Sequence, residues 1–559
     1  MKKNLNWLAS SALLVVACLA PPAFAASAKP NILLIVADDL GYSDLGAFGG
    51  EIDTPNLDEL SKHSTLLQSL YVAPTCSPTR SMLMSGTDNH LAGVGNMAEM
   101  MTPHLTPEQM GKPGYEGYLN QRVAALPELM KDAGYQTFMV GKWHLGGADG
   151  LRPQQRGFDK SYVLMGGGAA HFKQTAPMQI ASDAPEPVYR ENDIKVELPA
   201  DFYSSTNFTN KLIEYVDAGL GEKKPFFAYA AYTAAHLPSQ APDAYLQKYR
   251  GRYDQGYEVT AARRIEKLKS LGLVDAKATP VPMPKGVKPW SALSVEEKEY
   301  SARTMEAYAA MVDAFDHEIG RLINHLKDKG LYDNTLIVFL SDNGPEGNDW
   351  SKDVENDQWI PKHFDVSLNN IGRPNSFAYE GPAWGQVSAQ PFRMFKAYTN
   401  EGGVRSASFM RLPFNDNPQR TDAVVTAMDI MPTILDVAGI KHPGTQYQGK
   451  TVEPMKGASA LSMLQGKSHA VHDSTYTVGI ELMGRNAIRK GNWKIVYSFD
   501  DGKGTWALYD LATDRGELHD LSSQHPDKLN ELLTEWAQYV RQNNVISTGR
   551  DTTYPRRDY

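Results

Sequence analysis

Residues 31–37, Asn-Ile-Leu-Leu-Ile-Val-Ala, form an uninterrupted apolar run that starts after Pro30 and stops at Asp38-Asp39. A segment this short, rich in β-branched residues and without a polar face, suits a strand covered on both sides inside a largely parallel sheet. Similar runs recur at Thr137 to Val140, Phe226 to Tyr232 and Leu336 to Leu340, with helical patterns between them. One helix is expected near Thr54-Pro55 and another near Leu126-Pro127. A third follows from Met305, Tyr308, Val312, Phe315, Ile319, Leu322 and Leu326, which recur at three- and four-residue spacing before Gly330. Strands alternating with helices predict an α/β fold, a large mixed and mostly parallel sheet sandwiched by helices.

The chain has 559 residues, 42% of them hydrophobic, which is too long for one ordinary domain and enough for large cores. Residues 30–450 are expected to form the main domain. From about residue 451 to 559 the pattern shifts to short strands such as Trp493 to Tyr497 and Trp506 to Tyr509, then a helix from Lys528 to Tyr539, predicting a smaller antiparallel sheet with a packed helix. Residues 240–300 read as a surface excursion, and Arg263, Arg264, Lys267 and Lys269 in it as a solvated helix face. The formal net charge of −9 and the absence of a basic block exclude nucleic acid as a generic partner. An anionic substrate needs a locally positive pocket instead.

Residues 1–25 read as an export signal, with Lys2 and Lys3, an apolar stretch through Leu13 to Val16, and Ala23-Phe24-Ala25 as the cleavage site. Val15-Val16-Ala17-Cys18 also resembles a lipobox, which would end the signal at Ala17 and anchor the protein through Cys18. Either way the expected location is periplasmic or secreted, tethered in the second case, since no later segment is apolar for long enough to span a bilayer. Only two cysteines occur, Cys18 and Cys76, so disulfides are not expected to stabilise the fold.

Cys76 opens Cys76-Ser77-Pro78-Thr79-Arg80, at a helix start beside an arginine, where backbone N–H groups and a cation favour a reactive, charged site. Polar residues also follow each apolar strand: Asp38 and Asp39, then Lys142 and His144, then His236, then Asp342 and Asn343. In an open α/β sheet the carboxyl ends of strands gather ligand sites, so these segments are expected to converge on one edge. Asp38, Asp39, Asp342 and Asn343 are hard oxygen donors and suit Ca²⁺ or Mg²⁺ better than zinc. Arg80, Lys142, His144, His236 and Lys396 supply the positive charge that the whole chain lacks, whereas His63, His171 and His317 read as surface or packing residues.

Pro74-Thr75-Cys76-Ser77-Pro78-Thr79-Arg80-Ser81-Met82-Leu83-Met84-Ser85-Gly86 resembles the first signature of the type I sulfatases, and Gly134 to His144 resembles the second. The likeness runs through Ser341-Asp342-Asn343-Gly344 and Phe395 to Arg405. It is strongest to the bacterial arylsulfatases, with Ser85 where the family more often has Thr. It implies an alkaline phosphatase-like fold and hydrolysis of sulfate monoesters to an alcohol or phenol plus sulfate. It also implies that a maturation enzyme oxidises Cys76 to Cα-formylglycine around the time of export. A hydrated aldehyde has a second hydroxyl whose deprotonation expels sulfate, which a serine lacks. In that scheme Asp38, Asp39, Asp342, Asn343 and residue 76 bind Ca²⁺, and Asp342 is also the base. Arg80 orients the diol, Lys142 and Lys396 neutralise the sulfuryl group, His236 serves the leaving group and His144 takes the second proton. A phosphoester or phosphonate monoester hydrolase on the same fold, and a non-catalytic sulfate-binding protein, are the alternatives.

Overall fold

The computed structural model describes residues 29–549 apart from 101–104, 177, 180–184, 351–353, 416–417 and 500–503. The expected signal, Cys18 included, lies outside them. Eleven strands of the described residues make one sheet. They are β1 (Asn31–Ala37), β2 (Thr65–Tyr71), β3 (Gln136–Lys142), β4 (Lys160–Leu164), β5 (Tyr189–Glu191), β6 (Ile194–Lys195), β7 (Phe226–Ala231), β8 (Thr335–Ser341), β9 (Arg405–Arg411), β10 (Gln419–Thr421) and β11 (Val425–Thr426). Their order is β10-β2-β9-β8-β1-β7-β3-β4-β5-β6, with β11 beside β2. The centre, β8-β1-β7-β3-β4, is parallel. β9 runs antiparallel between β8 and β2, and β5 and β6 close the far edge as antiparallel strands. The sheet is therefore mixed and mostly parallel, as expected.

β1 shows why its sequence has no polar face. Leu33, Ile35 and Ala37 enter one core cluster and Ile32, Leu34 and Val36 enter another on the opposite side of the sheet. The pairing directions also determine where chemistry can collect. β1, β3, β7 and β8 end on one edge. Because β9 is antiparallel to both β8 and β2, β2 ends there too and β9 begins there.

The long helix spans Val295–Asp328 and starts ten residues before its apolar periodicity. Its first turns are solvent-facing and are held by a capping box, in which Ser294 Oγ accepts from Glu297 N at 3.2 Å and Glu297 Oε2 accepts from Ser294 N at 2.7 Å. Gly330, at φ +66°, closes its far end.

One charge reading is corrected. Arg263 and Lys267 are exposed on the helix Tyr257–Ser270, but Arg264 is buried, bonding Asp44 Oδ1 at 2.6 Å and Glu51 Oε2 at 2.7 Å. It faces inward with Ala261, Ile265 and Leu268, so this part of residues 240–300 packs into the main core.

Toward the C-terminus, Met463 and Leu464 still pack in the core of the large sheet. A separate antiparallel sheet follows, from strands Thr477–Leu482, Arg485–Lys490, Trp493–Ser498 and Thr505–Asp510, covered by the helix Pro526–Gln542. No described helix is long and apolar enough to cross a membrane.

Candidate active site

The helix Cys76–Ser85 begins five residues after β2 ends, so Cys76 stands at its first turn on the shared edge. Asp38 and Asp39 leave β1 there, Lys142 ends β3, and Asp342 and Asn343 leave β8. Cross-bonds fix the turns: Asp38 N donates to Ala234 O at 2.9 Å, and Leu40 N to Ser341 Oγ at 3.0 Å. The segment carrying Lys396 arrives from the other direction, ahead of β9. A side chain at Gly344 would meet Gly402 O at 1.9 Å, so this close approach requires glycine. Asp39, His144 and Ala397 hold φ of +60°, +54° and +70°, left-handed values that non-glycine residues adopt when the surroundings over-determine them, often at functional sites.

The side chains then interlock. Cys76 Sγ lies 3.3 Å from Asp38 Oδ1 and 4.0 Å from Asp39 Oδ1. Lys142 Nζ donates to both oxygens of Asp38, at 3.1 and 2.8 Å. Arg80 donates twice to Asp342 Oδ2 and once to Lys142 O. Lys396 Nζ donates to Asp39 Oδ2 at 2.7 Å, and Asn343 Nδ2 to Asp39 Oδ1 at 2.6 Å. His236 Nε2 is 3.7 Å from Asp39 Oδ2, with Nδ1 held at 2.7 Å by Leu237 O. His171, a packing residue as expected, bonds the His236 carbonyl at 2.8 Å.

All these groups are buried. Burial acts to raise the Asp39 carboxyl, but Lys396, His236 and Lys142 outweigh it and hold the pKa at about 2. Burial and the nearby lysines push His236 well below the usual imidazole range. Burial, reinforced by Asp38, raises the Asp342 carboxyl.

The same two causes lift the Cys76 thiol well above its ordinary range. The strand end places Asp38 against the sulfur, and burial with that carboxylate outweighs the lysines.

The donor set fits a hard divalent cation. Oxygens of Asp38, Asp39 and Asp342 and the sulfur of Cys76 all lie within 4.8 Å of one another. Asn343 Oδ1 is buried without a hydrogen-bond partner. Arg80, Lys142 and Lys396 balance the three carboxylates, so adding a divalent cation leaves the pocket positive and suited to an anion.

His144 is bonded outside this network of side chains. Its Nε2 pairs with Glu99 Oε2 at 2.9 Å and its Nδ1 is buried without a partner. Against the cost of desolvation, His144 holds the carboxyl of Glu99, whose side chain is 38% exposed, at about 2. Sequence reasoning missed Glu99, because a single acid in the Met-rich stretch Met97 to Met101 carries no spacing signal. A Cβ at Gly167 would lie 2.9 Å from the His144 ring.

The family model described as Sulfatase matches residues 30–440, and the one described as N-sulphoglucosamine sulphohydrolase, C-terminal, matches residues 392–543. An uncharacterized sulfatase of Schizosaccharomyces pombe is 45% identical, covering 94% of this chain and 96% of its own. The arylsulfatase of Klebsiella aerogenes is 38% identical, covering 78% and 93%. Among solved structures, the PsFucS1 sulfatase from Pseudoalteromonas sp. superposes with a TM-score of 0.60 at 20% identity, covering 92% and 91%, a likeness of fold. The match of one family model to most of the chain, together with these relatives, shows that the chain belongs to the sulfatase family of sulfuric ester hydrolases.

Proposed function

We propose that this chain is an arylsulfatase-type enzyme that cleaves sulfate monoesters to a phenol or alcohol plus inorganic sulfate, with Cys76 converted to Cα-formylglycine. Asp38, Asp39, Asp342, Asn343 and residue 76 would hold one Ca²⁺. The observation that carries the reading is the set of buried oxygen donors packed against a buried Cys76, with Arg80, Lys142 and Lys396 around them. When present, the hydrated aldehyde supplies one hydroxyl to attack sulfur and a second to release sulfate, and the cation supplies charge that favours the attacking alkoxide.

The remaining work belongs to the chain's own side chains. Lys142 and Lys396 face the sulfuryl oxygens and offset charge as it shifts during transfer. Asp342 Oδ2 takes both Arg80 bonds, and Oδ1, which accepts only a longer bond from Asp39 N at 3.3 Å, is the oxygen assigned the first hydroxyl proton. Lys396 and His236 stand together against Asp39 and serve the departing oxygen. His144, its Nε2 bonded to Glu99, presents Nδ1 for the second hydroxyl proton.

Maturation belongs to the same reading. Cys76, Ser77, Pro78, Thr79 and Arg80 are all buried, so a formylglycine-generating enzyme would have to read them before folding. Residues 1–25, or the alternative signal ending before Cys18, would direct the chain to the periplasm or beyond. Comparing kcat/KM for p-nitrophenyl sulfate and p-nitrophenyl phosphate tests the function. A strong preference for sulfate is expected, and a strong preference for phosphate would overturn it in favour of a phosphoester hydrolase.

A further inference from the structure

The C-terminal sheet reaches the catalytic edge through Arg485. This residue begins the strand Arg485–Lys490, directly after the turn at Met483 and Gly484, whose φ angles are +55° and +89°. Its Nη1 donates to Ala397 O at 2.8 Å, and its guanidinium carbon lies 3.8 Å from the centroid of the Tyr398 ring. The side chain is buried, so both contacts are made away from bulk water.

Ala397 is the hinge of this arrangement. It holds φ +70°, and its N–H donates to Pro74 O at 2.7 Å, two residues before Cys76. Residue 397 is thus clamped between the chain leading into Cys76 and the tip of the C-terminal sheet. Lys396, immediately before it, places Nζ 2.7 Å from Asp39 Oδ2.

Of the other bonds from the C-terminal region to this segment, one reaches back to Arg393, whose Nη1 donates to Glu517 O at 3.5 Å, and the rest address later residues. Asn486 O accepts from Thr399 Oγ1 at 3.2 Å, Lys494 Nζ bonds Glu401 Oε1 at 2.8 Å, and Glu517 Oε2 accepts from Asn400 Nδ2 at 2.9 Å. Arg485 instead bonds the carbonyl of Ala397, the left-handed residue that directly follows Lys396.

We infer that Arg485 is a positioning residue for Lys396, coupling the C-terminal sheet to the sulfuryl and leaving-group side of the site. Its planar fork and flat face hold the Ala397 carbonyl and the Tyr398 ring together, a combination that lysine lacks. The inference rests on the role proposed above for Lys396.

The test is a double-mutant cycle on kcat/KM, using aryl sulfates of graded leaving-group acidity. It compares the parent, Arg485→Ala, Arg485→Lys, Lys396→Ala and the two combinations, each checked for folding and for conversion at position 76. Arg485→Ala is expected to lower kcat/KM by about 10- to 10²-fold, the scale of a small misplacement of a reacting group. Its dependence on leaving-group acidity should shift in the same direction as that of Lys396→Ala. In the Lys396→Ala background the Arg485 change should have little further effect, because the group it positions is gone. Losses that multiply independently would overturn the inference. If Arg485→Ala fails to fold, Arg485→Lys carries the same comparison. The leaving-group response of Lys396→Ala alone judges the role of Lys396, whereas the coupling between the two positions judges Arg485.

Discussion

Arg80 places Nε and Nη2 on a single oxygen of Asp342, at 2.9 and 2.7 Å, while its Nη1 reaches the carbonyl of Lys142 at 3.0 Å. One planar side chain thereby ties the helix of Cys76 to the ends of β8 and β3. The arginine of the Cys76-to-Arg80 motif is part of the framework as well as of the site.

Arg80→Ala should therefore destabilise the protein, because it strands a buried carboxylate; removing one partner of such a pair typically costs about 3–5 kcal/mol. Denaturant unfolding measures it. Arg80→Lys should recover part of this stability without the two-donor geometry.

Lys142→Met should act differently. The ammonium is buried against both oxygens of Asp38 and faces the proposed sulfuryl position. Its removal should lower kcat for p-nitrophenyl sulfate by about 10²- to 10³-fold, the usual loss for one preorganised electrostatic donor.

Chelation should abolish turnover, with recovery on adding Ca²⁺. Arg80, Lys142 and Lys396 already balance the carboxylates, so the chelated protein should remain folded. Thermal unfolding should show added stability with saturating cation, about 2.7 kcal/mol at a hundredfold excess over Kd.

A pH effect is expected away from the site. His90 is buried between Asp88 Oδ1 at 2.9 Å and Glu481 Oε2 at 2.8 Å, which joins the segment after the Cys76 helix to the C-terminal sheet. Tyr539 donates to Asp88 and Tyr115 packs on the ring. Burial acts to lower the His90 pKa, but the two carboxylates outweigh it and lift it to about 9. The folded value lies above the unfolded one of about 6.5, so the stabilisation is complete below about pH 6.5 and is lost as pH rises through about 9. The melting-temperature difference between the parent and His90→Gln should shrink across that interval.

Local patterns carried much of this account. The apolar run of β1 marked its burial on both faces, and acids at strand ends marked the converging edge. What the sequence did not reveal depends on contacts between distant segments. Arg264 looked solvated because its partners Asp44 and Glu51 lie more than 200 residues earlier. The helix start and arginine beside Cys76 are local and legible, while Asp38, 3.3 Å from its sulfur, arrives from β1. Arg485 and Glu99 carry no spacing signal.

The tryptic peptide His63 to Arg80, which contains Cys76, offers the most direct test. In active enzyme its mass should show sulfur lost and an aldehyde oxygen gained at residue 76, with activity rising in proportion to the converted fraction. Full sulfatase turnover from protein whose Cys76 remains an unmodified thiol would contradict the account.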